Sequence, residues 1–316
     1  MMSEKNRLII LTGPTAVGKT SLSIKLAKKL DGEIISADSM QVYKHMDIGS
    51  AKIREDEMMG VRHHLIDILE PNEEFNVFKF KEYAKKALDD IYSRGRIPIM
   101  TGGTGFYIQS VLYDIDFKDE DEERSSDIRE KYEKLAESDP DLLYERLREV
   151  DPKSCESIHK NNIKRVIRAL SYYELNGKKI SEHNEEERNK SSSYDHMYFV
   201  LNDDREKIYD NIDKRVDIMI NEGLVAEVKS LMDIGVKKGA TSMQGLGYKE
   251  IYAYLSGQYD LERAVYLIKR DTRHFAKRQL TWFKRERDVI MIDRSSYKDE
   301  DDILSDMMRM INEHYR

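Results

Sequence analysis

GPTAVGKT, Gly13 to Thr20, decides the fold. It fits the phosphate-gripping pattern G-x-x-x-x-G-K-[ST]. Glycines let successive backbone N–H groups turn inward around an anion, and the helix that follows directs its positive end at the same point. Lys19 adds a point charge, and the Thr20 hydroxyl is a ligand of the kind Mg²⁺ accepts. Upstream, RLIIL at 7–11 is a short apolar run, the pattern of a buried strand. Downstream, Leu22, Ile24, Leu26, Ala27 and Leu30 recur at helical spacing and stop before Asp31-Gly32. A chance match would lack that strand-and-helix context. Gly13, Pro14, Thr15, Ala16, Val17, Gly18, Lys19 and Thr20 are therefore expected to bind a diphosphate-bearing group. The motif alone does not name the reaction, because kinases, GTPases and ATPases share it.

Working outward, EIISA at 33–37, HHLIDIL at 63–69 and RIPIM at 96–100 read as further strands, with a helical pattern from Phe78 to Tyr92. Strands alternating with helices indicate a parallel sheet covered on both faces. Near residue 114 the character changes. DIDFKDEDEER is acidic, and 126–137, 140–149 and 161–175 read as helices, followed by a polar loop at 181–193. MYFVLN at 197–202 restores the strand pattern, helices follow at 205–222, 224–234 and 260–286, and DVIMID at 288–293 closes as a strand. At 316 residues a single core has usually stopped growing, which also favours an insertion. The expected division is a core of 1–117 and 196–316 with a helical insertion domain at 118–195.

Two strand ends carry candidate chemistry. Strand 33–37 runs into Asp38-Ser39-Met40-Gln41, and residues just past a strand's carboxyl end line the ligand crevice of an open α/β sheet. Asp38 there is either a general base or simply a helix cap. TGGTG at 101–105 is either a tight turn or a place where backbone approaches a ligand, with Thr104 as a donor. His63-His64 suggests a metal pair, but adjacent strand residues point to opposite faces, and a structural role is expected.

Charged residues reach 36%, above the typical level of about 25%, and the net charge is -7. That balance does not itself suggest nucleic acid, so local patches decide. Basic residues crowd 263–287; Arg270, Arg273, Lys277 and Lys284 fall on one helix face. Lys164, Arg165 and Arg168 make a second such face. A solvated helix face is the ordinary explanation of one basic run, but two together favour binding to an RNA backbone. Trp282 and Phe283 are expected to pack in the core. The single cysteine, Cys155, allows no intramolecular disulfide and suits a reducing cytoplasm. No apolar run approaches the length of a membrane span. A cytoplasmic monomer with no membrane association is expected.

Together these motifs resemble one family, the tRNA dimethylallyltransferases. The resemblance rests on GPTAVGKT at 13–20, ISADSMQVYKHMDIGSAK at 35–52, GVRHHLIDI at 60–68 and GGTGFY at 102–107. It continues through NNIKRVIRAL at 161–170, DNIDKRVDIMINEGLVAEV at 210–228, QGLGYKE at 244–250 and TRHFAKRQLTWFKR at 272–285. It implies a P-loop NTPase-like parallel α/β core with a helical, tRNA-binding insertion. It implies transfer of a dimethylallyl group from dimethylallyl diphosphate to N6 of the adenosine on the 3′ side of the anticodon, with Mg²⁺ as cofactor. By the same resemblance Asp38 is the catalytic base, and Lys19 and Arg215 hold the diphosphate. Asp38, Ser39, Met40, Gln41, Thr104, Arg129, Lys164, Arg165, Val166, Ile167 and Arg168 match positions that contact the tRNA anticodon stem-loop. Two local departures stand out. The family's histidine-proline-asparagine-aspartate turn is here His159-Lys160-Asn161-Asn162, and its usual proline after Ala51-Lys52 is Ile53. Two rival functions compete with this reading: a small-molecule or nucleoside kinase, and a non-catalytic RNA-binding module. Neither accounts for the P-loop, Asp38 and the basic helices together.

Overall fold

The computed structural model of the chain describes residues 5–116 and 122–316, and within these leaves aside the side chains of 122–125 and 188. The expected domain boundary at 117/118 lies outside that description. The chain divides into two compact units, Met1–Leu112 with Ser193–Arg316, and Tyr113–Ser192.

The first unit is built on β1 (Arg7–Thr12), α1 (Lys19–Leu30), β2 (Gly32–Ala37), β3 (His63–His64), α2 (Val77–Ser93), β4 (Ile97–Gly102) and α3 (Gly105–Leu112). The second unit carries α4 (Glu122–Ser138), α5 (Pro140–Val150), α6 (Pro152–Cys155), α7 (Ile163–Asn176) and α8 (Ile180–Asn189). The first then resumes with β5 (Asp195–Asn202), α9 (Arg205–Glu222), α10 (Leu224–Asp233), α11 (Tyr248–Leu255), α12 (Leu261–Phe283), β6 (Val289–Asp293) and α13 (Glu300–His314).

The six strands form one parallel sheet in the order β3-β2-β4-β1-β5-β6. Central strands of such a sheet are covered on both faces, which is why β1 reads as an unbroken apolar run from Leu8 to Leu11 and β2 is apolar at Ile34 and Ile35. Leu8, Ile9, Ile10, Leu11, Ile34 and Ile35 are all fully buried. Register then places the site. Thr12 and Ala37 both pair with Gly102, so β1, β4 and β2 end level. The P-loop, the TGGTG turn and Asp38 leave the sheet side by side.

Some sequence expectations are corrected. The run 63–69 is a strand only at His63–His64. Leu65 and Asp67 adopt positive φ of 64° and 55°, which no strand tolerates, and pairing returns only as a bridge between Tyr43 and Leu69. The supposed polar loop at 181–193 is largely α8, and a further helix, α13, follows the closing strand. His64 is employed structurally: its Nε2 lies 2.7 Å from Glu33, which also accepts from Arg94. No helix among the described residues is long and apolar enough to cross a membrane.

The second unit has its own core of Ile128, Tyr132, Leu143, Leu147, Val166, Ile167, Ala169 and Leu170. Asp151 holds its helices in register. This carboxylate, 1% exposed, accepts from the hydroxyls of Ser154 and Ser181 at 2.6 Å each and from both backbone amides. Burial alone would raise its pKa, but those donors together hold it below the usual carboxylate value. At the point where the first unit is interrupted, Ser193 N donates to Leu112 O at 3.1 Å.

Candidate active site

The P-loop leaves β1 under steric constraint. Gly13 has φ 148°, and a Cβ there would lie 2.4 Å from the carbonyl oxygen of Leu201 at the end of β5. Gly18 has φ 90° and caps α1 without any side-chain hydrogen bond. No acidic residue occupies the first turn of α1. The first amides of that helix are therefore left for an anion. Pro14, Ala16 and Val17 are buried and anchor the loop, whereas Lys19 is half-buried and Thr20 exposed. Lys19 Nζ donates to Gly13 O at 3.0 Å and to Pro14 O at 2.8 Å, folding over its own loop. The Thr15 amide donates to Gln279 Oε1 at 2.9 Å.

Lys19 ties the catalytic candidates together. Burial lowers its pKa most, the Arg215 charge lowers it further and the Asp38 carboxylate partly restores it, for a value of about 7. The three side chains therefore share one electrostatic neighbourhood. Arg215 arrives from α9. One turn earlier, Asn211 Nδ2 donates to Ala16 O at 3.4 Å, so the i, i+4 face bearing Arg215 adjoins the P-loop. Arg215 retains solvent-exposed surface, yet the protein around its guanidinium lowers its pKa by desolvation. It stays charged regardless.

Asp38 has both of the roles left open by its position. Its Oδ1 caps the turn, accepting from Met40 N at 2.8 Å and Gln41 N at 3.3 Å. Its Oδ2 has no hydrogen bond among the described residues. Ser39 is half-buried. Met40 packs on Gly245, where a Cβ would lie 2.6 Å from its sulfur. Gln41 spends its amide on local polar groups, accepting from Ser36 and donating towards Ser50 O and Ala51 O.

This segment is clamped from behind by a residue that the sequence reading did not single out. Glu227 on α10 accepts from the backbone amides of Asp47, Ile48 and Gly49 at 2.8, 2.8 and 3.0 Å, and from the Tyr248 hydroxyl at 2.7 Å. Gly49 is required, since a Cβ would meet the Tyr248 ring at 2.6 Å. Across the turn, Thr104 N donates to Ala37 O at 3.2 Å, which sets Thr104 beside the residue preceding Asp38.

The basic faces fare differently. On α12, Arg273 bonds both carboxylate oxygens of Asp213, Lys269 pairs with Asp217 and Arg270 with Asp271. The expected face of Arg270, Arg273, Lys277 and Lys284 is thus half neutralised. Lys277 and Lys284 are exposed and have no ion-pair partner among the described residues. Trp282 also departs from expectation: it is 39% exposed, while Phe283 is fully buried. In the second unit, Arg129, Lys164, Arg165 and Arg168 are exposed, again with no partner among the described residues. Val166 and Ile167, expected with them as contact positions, differ from them in exposure. They are 0% and 6% exposed and pack their side chains in the core of the second unit.

Comparison with known proteins agrees along the whole chain. A family model described as IPP transferase matches residues 41–286. The tRNA dimethylallyltransferase of Lachnoclostridium phytofermentans is 58% identical over 307 residues, 97% of each chain. That of Clostridioides difficile is 49% identical over 311 residues, 98% of this chain and 99% of the other. Among solved structures, the full-length tRNA isopentenylpyrophosphate transferase from Bacillus halodurans is 42% identical, with a TM-score of 0.74 over 98% of this chain and 97% of that one. A eukaryotic dimethylallyltransferase acting on tRNA is 32% identical, with a TM-score of 0.76 over 91% of this chain and 74% of that one.

Proposed function

The chain belongs to the IPP transferase family, and on that premise we propose that it moves the dimethylallyl group of dimethylallyl diphosphate onto N6 of the adenosine 3′-adjacent to the anticodon in tRNA, releasing diphosphate. The observation that carries this reading is the neighbourhood of Lys19. Lys19, a cation for a leaving diphosphate, feels both a second such cation, Arg215, and a carboxylate for an incoming amine, Asp38.

The chemistry follows from that arrangement. As the allylic C–O bond breaks, negative charge gathers on the diphosphate, where Lys19, Arg215 and the uncapped start of α1 stabilise it. The N6 amine forms the new C–N bond, and its proton passes to Asp38 Oδ2, the oxygen not used in capping the turn. The adenosine must leave its stack to reach the sheet edge. Mg²⁺ fits at Thr20, whose exposed hydroxyl has no hydrogen bond among the described residues. This ion needs only one or two protein ligands beside phosphate oxygens and water. When bound it would neutralise charge on the diphosphate. Arg129, Lys164, Arg165, Arg168, Lys277 and Lys284 are the exposed cations offered to the tRNA backbone. The same proposal has the protein act as a monomer in the cytoplasm.

The test is incubation with Mg²⁺, radiolabelled dimethylallyl diphosphate and unmodified tRNA. Label is expected in the tRNA. Asp38→Ala should lower the rate by about 10²–10⁴-fold and leave tRNA affinity largely intact. ATP turnover without label transfer would overturn the reading in favour of a P-loop kinase.

A further inference from the structure

One buried side chain in this site belongs to neither the P-loop nor the loops that receive the acceptor, yet it bonds to both. Gln279 lies near the end of α12 and is 5% exposed. Its Oε1 accepts from Thr15 N in the P-loop at 2.9 Å, and its Nε2 donates to Gly103 O in the TGGTG turn at 2.9 Å. A carboxamide donates and accepts at once from a rigid plane, which a carboxylate, an ammonium or an apolar chain of similar length cannot do.

The surroundings are shaped around this bridge. A Cβ on Gly103 would lie 2.2 Å from Gln279 Nε2, and one on Gly105 would lie 2.3 Å from the Trp282 ring. The last turns of α12 therefore rest directly on the backbone of the turn. On its far side the turn is held to β2: a Cβ on Gly102 would meet Ala37 O at 2.2 Å, and Thr104 N bonds that same oxygen. Packing thus runs without a gap from the P-loop through Gln279 to Gly103, Thr104 and Ala37, and so to Asp38.

Resting on the function proposed above, we propose that Gln279 is a positioning residue. It sets the separation between the loop that holds the leaving diphosphate and the loops that present the base and receive the adenosine. A displacement of this kind needs the reacting atoms about 3–3.5 Å apart, and a misplacement of about 1 Å costs on the order of 100-fold in rate. Bonding from Gln279 fixes the spacing before either substrate arrives.

Two variants test this in the full-length protein. Gln279→Met keeps the volume and removes both bonds. Gln279→Glu keeps the acceptor for Thr15 but sets a carboxylate oxygen against the Gly103 carbonyl, and protonation restores the donor. For Gln279→Met the expected result is a single-turnover transfer rate about 10- to 100-fold lower, with the affinities for dimethylallyl diphosphate and tRNA little changed. Hydrogen exchange at the Thr15 amide should speed up. For Gln279→Glu the rate relative to wild type should recover as pH falls, a response that a packing role alone would not produce. Unchanged rates in both variants would overturn the proposal, as would a loss confined to diphosphate affinity or a Gln279→Glu ratio that ignores pH. Should Gln279→Met fail to fold, the Gln279→Glu pH ratio decides alone. No transfer by the wild-type chain would sink the functional reading and this role with it. Transfer by wild type with undiminished rates in the variants would sink only the positioning role.

Discussion

Helices α12 and α7 carry similar basic stretches, but their charges are in different states. On α12 the cations at 269, 270 and 273 are matched by Asp217, Asp271 and Asp213. On α7, Lys164, Arg165 and Arg168 stand in solvent with no partner among the described residues, while Val166 and Ile167 between them fill the core. A basic run in a sequence counts cations, but only the fold shows which are already spent on neighbours. Lys19 is a third case, a cation surrounded by another cation and too little water, so that its charge itself becomes negotiable.

This three-way contrast can be broken at each point. The largest effect is expected at Lys19. With a pKa of about 7, it is charged below that pH and largely neutral above it. A bound diphosphate favours the charged form and raises that pKa. Binding above pH 7 therefore takes up a proton. The affinity advantage of wild type over Lys19→Met should be flat below pH 7 and fall by about tenfold per pH unit above it. Calorimetry with dimethylallyl diphosphate from pH 6 to 9 checks this, and a ratio constant across that range would show that Lys19 keeps its charge throughout.

Next comes α7. Replacing Lys164, Arg165 and Arg168 by glutamine should reduce the slope of log affinity for tRNA against log salt by about 0.7–0.9 for each phosphate that the helix no longer neutralises. Filter binding across a series of salt concentrations measures the slope, and an unaltered one would remove α7 from the tRNA surface. The smallest effect belongs to α12. Arg273→Gln should leave that slope nearly unchanged. With Asp213→Asn in a double-mutant cycle in urea it should show a coupling of about 1 kcal/mol or less, because both side chains are partly exposed. A steep fall in tRNA binding for Arg273→Gln alone would mean that Asp213 releases its partner when RNA arrives.

The features that could be read in advance share a physical basis. The P-loop, the strand at 7–12 and the α12 pattern are local: spacing, glycine and burial periodicity suffice. The misread elements depend on partners far along the chain. Residues 63–69 look like a strand, but the backbone at Leu65 and Asp67 turns left-handed, and Lys52 bonds the Asp67 carboxylate. α8 is too polar to announce itself, and its first turn is fastened by Asp151, thirty residues earlier. The P-loop pattern located Lys19, the strand end raised Asp38 and the resemblance added Arg215; in the structure Lys19 feels the charges of the other two. Glu227 and Gln279 lie inside stretches that carry the resemblance, but neither was singled out, because a lone Glu on an amphipathic helix and a Gln in a basic run look like surface.

The hydrogen bond between Ser193 and Leu112 has a consequence for how such a protein can change over time. It closes the gap in the first unit where the chain departs and returns, leaving residues 113–192 as one long loop on a finished scaffold. Closing a loop grows costlier only logarithmically, by about 0.6 kcal/mol for each doubling of its length. Whole helices can therefore be gained, lost or exchanged between those two residues with little thermodynamic penalty. The sheet-bearing unit can stay fixed while the inserted one is remodelled.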